Sequence, residues 1–327
     1  MKGLVYLGPH ASEYREVAEP VPGEGEVVVR IEAVGLCGSD MHAYVGHDDR
    51  RPGPLILGHE PAGVVEETGE RVAINPLVTC GACEDCTSGR ENLCTRREII
   101  SLPPREGAFA ERVAMPRRNL TPVPDHVPFA QAALTEPLAC GWHALRLGRR
   151  TAFKAVDETR VVVLGGGAIG IGAALCAQAQ GYRHITISEP NAERRALLQP
   201  HGDFIVRDPD ATMRKDGGAD LVIDAAGFAS TRAAASALTR PGGTIVHIGL
   251  GSGEGGIDAR RLTLQEITFA GAYTYTPQDF AETAHALFDG RLGDTSWAEQ
   301  RPLSDGPRTL QEMAGGRIPA PKVVFIP

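Results

Sequence analysis

The seven cysteines of this 327-residue chain are spaced in a way that suggests metal binding rather than disulfide bonding. Four of them fall within fifteen residues, at Cys80, Cys83, Cys86 and Cys94. Four thiolates at this spacing are typical of a closed tetrahedral Zn²⁺ site. An odd total with such a cluster does not suit a secreted disulfide framework. We therefore expect the lobe of residues 80–94 to hold a structural zinc ion, because so short a lobe has little apolar core of its own.

A nucleic-acid-binding zinc ribbon would use a similar set of cysteines. The acidic residues of the lobe, Glu84, Asp85 and Glu91, argue against that alternative because they would repel a phosphate backbone. The structural site is the preferred interpretation.

Two further segments combine metal-ligating and proton-carrying side chains. Residues 35–42 read GLCGSDMH and supply a thiol, a hydroxyl and an imidazole. Residues 58–63 read GHEPAG and add an imidazole and a carboxylate on a glycine-flanked turn. Each of these residues alone is more simply explained by packing or by a surface turn. Their combination is a candidate for a second metal site with a different role.

A glycine-rich segment, Gly165 to Gly170, fits the pattern G-x-G-x-x-G with Ala168 and Ile169 between the last two glycines. It follows an apolar strand and opens a helix, which is the context expected of a dinucleotide-binding loop. Gly165 permits the tight turn, Gly167 lets the backbone approach a pyrophosphate, and Gly170 lets helix and strand pack closely. The N-terminus of the helix then favours the phosphates.

Nineteen residues after this loop, Glu189 ends the next strand. Its carboxylate can accept hydrogen bonds from both ribose hydroxyls and would repel a 2′-phosphate, which favours NAD over NADP. Arg194 and Arg195 favour the opposite choice, since a guanidinium could hold that phosphate. If they are only solvated helix charges, the preference for NAD stands, and NAD is the cofactor we expect.

The elements that must position these residues fall into two kinds. The first part of the chain is rich in short strands and in Pro and Gly, with strands expected at 27–31, 63–66 and 71–74. From residue 160 strands and helices alternate, with strands at 161–164, 184–187, 221–223 and 244–248 and helices at 173–180, 192–198 and 229–238. Such alternation of continuously apolar strands with helices implies a parallel sheet covered on both faces. The tail is expected to contain one helix, 279–288, and a final strand, 322–326.

Composition excludes several classes of protein. The formal net charge of −8 makes a nucleic-acid partner improbable, and no apolar run reaches the roughly 18 residues of a membrane span. We do not expect the first residues to act as a signal peptide, because only a few apolar residues precede Gly8 and Pro9. We expect a cytoplasmic protein of two domains, given its length.

The motifs together carry a family resemblance. The segments around Cys37 and His59, the four-cysteine lobe, the segment TEPLA at 135–139 and the glycine loop occur in the order found in zinc-containing medium-chain dehydrogenases. Along its whole length the chain resembles their polyol, or sorbitol-type, branch most closely. The resemblance implies an α/β fold: a doubly wound parallel Rossmann sheet at 144–276, with a discontinuous β-rich GroES-like catalytic domain at 1–143 and 277–327.

The resemblance also assigns roles. Cys37 and His59 would ligate a catalytic zinc, and Glu60 would bind it directly or exchange with water. Glu136 stands where the alcohol-dehydrogenase branch has a cysteine ligand, and a carboxylate there is typical of the polyol branch. Cys140 is expected only to pack. Two zinc ions per chain follow, one catalytic and one structural.

The implied reaction oxidises a secondary hydroxyl of a polyol, diol or sugar alcohol to a ketone by hydride transfer to NAD. Ser39 would receive the hydroxyl proton and His42 would pass it towards the cofactor ribose and solvent. The otherwise expected arginine beside Tyr275 is replaced by Thr274, which puts sugar-alcohol specificity in doubt but not the chemistry. The partner is a small-molecule alcohol, and a homodimer or homotetramer is expected.

Three alternatives remain at this point. The chain could be a threonine, butanediol or aminocyclitol dehydrogenase of the same family. A zinc-free quinone or enone reductase is disfavoured because the ligands Cys37, His59 and Glu136 are all present. A non-catalytic nucleotide-sensing protein could use the same Rossmann unit, and the intact ligands argue against it too.

Overall fold

The computed structural model describes residues 1–209 and 217–327. The strands are β1 Lys2–Gly8, β2 Ala11–Glu16, β3 Glu26–Leu36, β4 Leu55–Ile56, β5 Glu60–Val65, β6 Arg71–Ile74, β7 Leu77–Val78, β8 Glu98–Ile99, β9 Arg112–Pro116, β10 Leu120–Pro122, β11 Arg160–Leu164, β12 His184–Ser188, β13 Ile205–Arg207, β14 Ala219–Asp224, β15 Thr239–His247, β16 Thr268–Gly271, β17 Ala298–Pro302 and β18 Lys322–Ile326.

The α-helices of the described residues are α1 Gly38–Tyr44, α2 Glu84–Thr87, α3 Phe129–Ala132, α4 Thr135–Arg149, α5 Ala168–Ala179, α6 Ala192–Leu198, α7 Ala229–Leu238, α8 Ala259–Leu264, α9 Pro277–Phe288 and α10 Gly306–Ala314. No helix among them is both long enough and apolar enough to cross a membrane.

The chain divides into two compact units. The first comprises Met1–Glu136, Thr276–Phe288 and Ala298–Pro327, and the second comprises Pro137–Tyr275 and Asp289–Trp297. Compared with the boundaries expected from the sequence, residues 137–143 and 289–297 group with the second unit. The chain therefore passes between the two units four times, whereas the boundaries expected from the sequence give two such passages.

The first unit is built mainly on antiparallel strands, and its β17–β18 pairing is parallel. Its largest sheet has the order β10-β6-β5-β3-β18-β17, with β9 also pairing with β3. The long strand β3 is central because it pairs with β5, β9 and β18 along different parts of its length. Apolar side chains of these strands pack with α1 and α10 in one core, in which Phe109 and Phe325 meet edge to face. This is the β-rich domain that the sequence predicted.

The second unit is a six-stranded sheet of order β13-β12-β11-β14-β15-β16, and every pairing in it is parallel. The strand order reverses between β11 and β14. Ligands of such sheets bind outside the carboxyl ends of the strands at this reversal. The Rossmann arrangement predicted from the alternation of strands and helices is confirmed.

Most element types predicted from the pattern are present, and the differences lie where polar or short segments gave little signal. The helix expected at 173–180 begins five residues earlier, at Ala168, directly after the glycines. The tail contains a second helix, α10, and an additional strand, β17, where the sequence predicted one helix and one strand. Both are short, and β17 carries three consecutive polar residues followed by a proline, a composition typical of a loop.

The glycine loop leaves no room for a side chain at Gly170, and this can be tested by mutation. A Cβ atom at Gly170 would lie 1.9 Å from the carbonyl oxygen of Gly165, whereas at Gly167 it would meet nothing within 4 Å. Gly167 also has an ordinary φ of −72°. We expect Gly170→Ala to lower the free energy of unfolding by about 1–3 kcal/mol, because backbone must move to admit the methyl group. Gly167→Ala, the matched control, should change it by less than about 0.5 kcal/mol.

Urea unfolding of the two variants and the parent protein measures this difference. Equal stability of the two variants would contradict the close approach of α5 to the loop.

Candidate functional site

Two segments of the first unit bring three of the predicted ligands together. Strand β3 ends at Leu36 and passes directly into Cys37, which caps the N-terminus of α1. In the neighbouring strand Glu60 lies opposite Gly35, and His59 precedes it. Ligand atoms of Cys37, His59 and Glu60 all lie within 4.8 Å of one another. Thiolate, imidazole and carboxylate are a donor set that zinc accepts, so these side chains fit a zinc ion.

The imidazole of His59 is oriented from both sides. Its Nδ1 lies 3.4 Å from Oδ1 of Asp40, and its Nε2 lies 3.4 Å from the hydroxyl of Ser39. Burial lowers the pKa of His59, but the Asp40 carboxylate and the Cys37 thiol outweigh it and hold that pKa well above the usual value. A carboxylate behind one ring nitrogen is the arrangement that fixes a histidine whose other nitrogen binds a metal.

Asp40 is itself fully buried and saturated with donors. Its carboxylate accepts hydrogen bonds from the backbone N–H of Cys37 at 3.0 Å, the N–H of Gly58 at 3.2 Å and the Ser101 hydroxyl at 3.4 Å. Burial raises its pKa, yet His59 and the other donors lower it to about 2. Asp40 thus ties together the two segments that supply the ligands.

A lysine from the end of the chain completes the first unit's charge arrangement. Lys322 and Glu60 are 2% and 0% exposed, and the lysine Nζ lies 2.6 Å and 2.7 Å from the two carboxylate oxygens. The same ammonium donates to the carbonyl oxygen of Leu36 at 3.0 Å. Burial lowers the pKa of Lys322, but Glu60 and then Cys37 raise it above its usual value.

Two other residues that the sequence analysis assigned to the site, Glu136 and His42, lie outside the cluster of Cys37, His59 and Glu60. Glu136 is buried and near enough to contribute to raising the pKa of Lys322, but among the described residues it is outside the set of ligand atoms within 4.8 Å. His42 lies on α1 and is half-buried. Burial, followed by the proximity of His47, lowers the pKa of His42.

The four cysteines of the lobe form a second cluster. Their sulfur atoms lie within 4.8 Å of one another, with 3.8 Å between Cys80 and Cys86 and 3.5 Å between Cys83 and Cys86. Four sulfurs placed tetrahedrally at the zinc–sulfur distance of about 2.3 Å are about 3.8 Å apart. The cluster therefore fits a closed zinc site.

In the second unit, the glycine loop joins β11 to α5, and Glu189 is tied to it. The carboxylate of Glu189 is only 4% exposed and accepts hydrogen bonds from the N–H of Gly166 at 2.7 Å and of Asn191 at 2.9 Å. Gly165 occupies the left-handed region, with φ of 97°, and its N–H donates to Ser188. The loop and the acidic residue thus form one hydrogen-bonded unit at the carboxyl ends of β11 and β12.

The two arginines of α6 are also engaged. Arg195 donates to the carbonyl oxygens of Glu189 and Pro190 at 2.8 Å and 2.7 Å and pairs with Asp208. Arg194 lies 4.0 Å from the Glu189 carboxylate.

The residue pair at the expected substrate position follows β16. Thr274 adopts a left-handed conformation with φ of 47°, which is rare for a β-branched residue. Its hydroxyl oxygen is buried and forms no hydrogen bond with the described residues, while Tyr275 is fully buried. Strained residues of this kind persist where the surrounding structure holds them.

Sequence reasoning missed three residues of the first unit. Asp40 was visible only as one letter of GLCGSDMH, and Arg51, which donates to Ser101, only as part of a polar loop. Lys322 carried a usable signal: it opens the strand KVVFI, whose other residues are all apolar. An ionisable residue at the start of such a strand requires a partner.

Comparison with known proteins agrees with this geometry. Residues 23–125 match the model of the alcohol dehydrogenase GroES-like domain, and residues 168–289 match that of the zinc-binding dehydrogenases. The chain is 32% identical to L-galactonate-5-dehydrogenase of Escherichia coli (strain K12), over 89% of this chain and 88% of that protein. It is 34% identical to sorbitol dehydrogenase of Bacillus subtilis (strain 168), over 71% of each.

Two solved structures give the same picture. A zinc-binding dehydrogenase from Sinorhizobium meliloti 1021, bound to NADP, aligns with a TM-score of 0.87 at 28% identity, over 100% of this chain and 99% of that chain. Acetophenone reductase from Geotrichum candidum, in complex with NAD, aligns with a TM-score of 0.89 at 27% identity, over 100% of this chain and 97% of that chain.

The ligand cluster, the parallel sheet and these relatives agree with one another. The chain belongs to the zinc-dependent medium-chain dehydrogenase family of oxidoreductases, in its polyol dehydrogenase branch.

Proposed function

We propose that this protein oxidises a secondary hydroxyl of a small polyol or diol to a ketone, with two zinc ions per chain and NAD as the hydride acceptor. The observation that carries the proposal is the convergence of Cys37, His59 and Glu60 within 4.8 Å, in a chain of this family. When bound, zinc polarises the substrate hydroxyl as a Lewis acid and NAD accepts the hydride.

The chain's own residues would hold and orient these groups. Cys37 and His59 bind the metal, Asp40 fixes the ring of His59, and Glu60 or Glu136 supplies the carboxylate ligand. The Ser39 hydroxyl, 3.4 Å from Nε2 of His59, accepts the proton released by the substrate. His42 then passes it towards the cofactor ribose and solvent. A lowered pKa keeps the His42 imidazole neutral at neutral pH and able to accept that proton.

The cytoplasmic location and the homodimeric or homotetrameric state expected from the family resemblance remain part of the proposal. So does the absence of nucleic-acid and membrane partners.

The two zinc roles are separable by mutation. We expect about two zinc ions per chain, because a closed four-thiolate site and an open mixed-ligand site are chemically distinct. Cys37→Ser should abolish activity while the protein stays folded, because its site lies among strands that the core already holds. Cys83→Ser should instead lower the melting temperature, because the lobe depends on its metal.

Metal analysis by mass spectrometry and thermal unfolding of both variants test this. A fully active enzyme with a single zinc ion per chain would contradict the assignment.

The burial of Glu189 and the contacts of Arg195 favour NAD over NADP. The Glu189 carboxylate is buried where the adenosine ribose is expected, and Arg195 is occupied by two carbonyl oxygens and Asp208. A 2′-phosphate would meet the negative charge of Glu189, while Arg195 is engaged elsewhere and Arg194 already lies beside the Glu189 carboxylate.

Replacing Glu189 by a small neutral residue should raise the ratio of kcat/KM for NADP to that for NAD, because the repulsion is removed. Asn191→Ala, which removes the α6 cap but no charge, is the matched control and should leave that ratio nearly unchanged. Steady-state kinetics with both cofactors provide the values. A parent enzyme that already prefers NADP would refute the proposed preference.

Thr274 motivates the proposed substrate class. A guanidinium at this position could clamp several hydroxyls of an extended polyol, whereas a threonine offers one hydroxyl and less reach. We infer that a secondary hydroxyl with a vicinal hydroxyl neighbour is oxidised, but that sorbitol is not a highly efficient substrate. Binding would depend on Tyr275 and the zinc-site carboxylates.

Short diols, cyclitols or polyols of other configuration should give higher kcat/KM than sorbitol. The loss of one good polar contact costs about 1–3 kcal/mol, or roughly ten- to hundredfold. The measurement compares sorbitol, galactitol, xylitol, butane-2,3-diol, threonine and simple alcohols, and Thr274→Arg should shift the profile towards the longer polyols. Sorbitol as the best substrate by a wide margin would disprove this inference.

A further inference from the structure

The pair formed by Lys322 and Glu60 has a consequence for the metal site. Both oxygens of the Glu60 carboxylate lie within hydrogen-bond distance of the lysine Nζ, at 2.6 Å and 2.7 Å. A carboxylate oxygen also lies within 4.8 Å of the Cys37 sulfur and of a ring nitrogen of His59. The Glu60 carboxylate therefore lies between two cations, the ammonium of Lys322 and the proposed zinc ion.

The surrounding backbone favours the orientation towards Lys322. The ammonium is fixed by the carbonyl oxygen of Leu36, 3.0 Å away, and is itself only 2% exposed. Space for the carboxylate comes from Gly35, where a Cβ atom would lie 1.8 Å from Oε2 of Glu60. Both groups are shielded from water, so Glu60 depends on its ion pair with Lys322 to balance its charge.

We propose that Lys322 is a positioning residue that holds Glu60 away from permanent coordination and so keeps a coordination position of the catalytic zinc available to substrate. The inference rests on the proposed function, because it requires zinc at Cys37 and His59. A catalytic site needs such an open position, whereas a site with four permanent protein ligands is closed.

The rate of zinc release distinguishes this positioning role from a purely structural one, in which Lys322 only supports the fold around the metal. The two roles predict opposite changes in that rate when Lys322 is replaced. Without the ammonium, a competing positive charge is gone and Glu60 is free to bind the metal, so the metal should be held more tightly. If Lys322 were only structural, its loss would loosen the ligands, and zinc would leave faster.

The experiment measures zinc release from holoenzyme to a chelator. Lys322→Met should release the catalytic zinc at least about tenfold more slowly than the parent, within the range typical of changes behind a metal ligand. Its kcat should fall because the open position is closed. The structural zinc serves as an internal reference, and Lys154→Met, which loses an ion pair with Asp220 in the second unit, is the matched control with parental release.

A double variant, Lys322→Met with Glu60→Gln, keeps the test valid if the single variant folds poorly. Replacing both members of a buried ion pair leaves no uncompensated charge. If Glu60 is not a permanent ligand of the parent enzyme, the double variant should release zinc at close to the parental rate. Cobalt substitution adds an independent readout, since the visible spectrum of the single variant should show one ligand more than that of the parent.

Release from Lys322→Met that is equal to or faster than that of the parent would overturn the inference. So would a double variant that loses zinc at least about tenfold faster, because Glu60 would then already be a ligand in the parent. A parent protein with no zinc beyond that of the cysteine lobe would instead refute the proposed function.

Discussion

The register of three neighbouring antiparallel strands is the constraint on which the catalytic half of the molecule depends. Val323 of β18 lies opposite Leu36 of β3, and Gly35 of β3 lies opposite Glu60 of β5. This register brings together Lys322 and Glu60, which are 262 residues apart along the chain. Because successive side chains of a strand alternate between faces, a shift of one residue would turn these charges away from each other. The last strand of the chain is therefore a part of the site.

Buried charge explains why Asp40, Glu60 and Lys322 each lie beside groups of opposite charge or polarity. An isolated buried carboxylate or ammonium is costly, and removing one partner of a buried pair is strongly destabilising. Two of the buried carboxylates, those of Asp40 and Glu60, meet this requirement differently. Asp40 is surrounded by backbone N–H groups, a hydroxyl and the His59 ring, whereas Glu60 depends on Lys322. Asp40 therefore has a fixed position, while the position of Glu60 depends on one cation.

In the second unit, backbone contacts fix the positions of the glycine loop and Glu189. Its glycine loop contributes no charged side chain, but the contact of Gly170 with the Gly165 carbonyl sets where the N-terminus of α5 lies. Glu189 is then held by the N–H of Gly166, so that the acidic residue and the loop keep a fixed geometry. Such preorganisation lowers the entropy lost when a ligand binds.

The sequence by itself determined the ligand types, the order of the motifs and the two kinds of domain. Cysteine spacing, the glycine pattern and the alternation of apolar strands with helices are local signals, and local propensity is enough to express them. Only the tertiary structure decided which carboxylates meet Cys37 and His59. Lys322 and Glu60 pair through strand register, a long-range property to which no single segment contributes a readable pattern. The environment of Asp40 was likewise invisible, because its donors come from segments separated by up to 61 residues, and it is these donors and His59 that lower the pKa of its carboxyl despite burial.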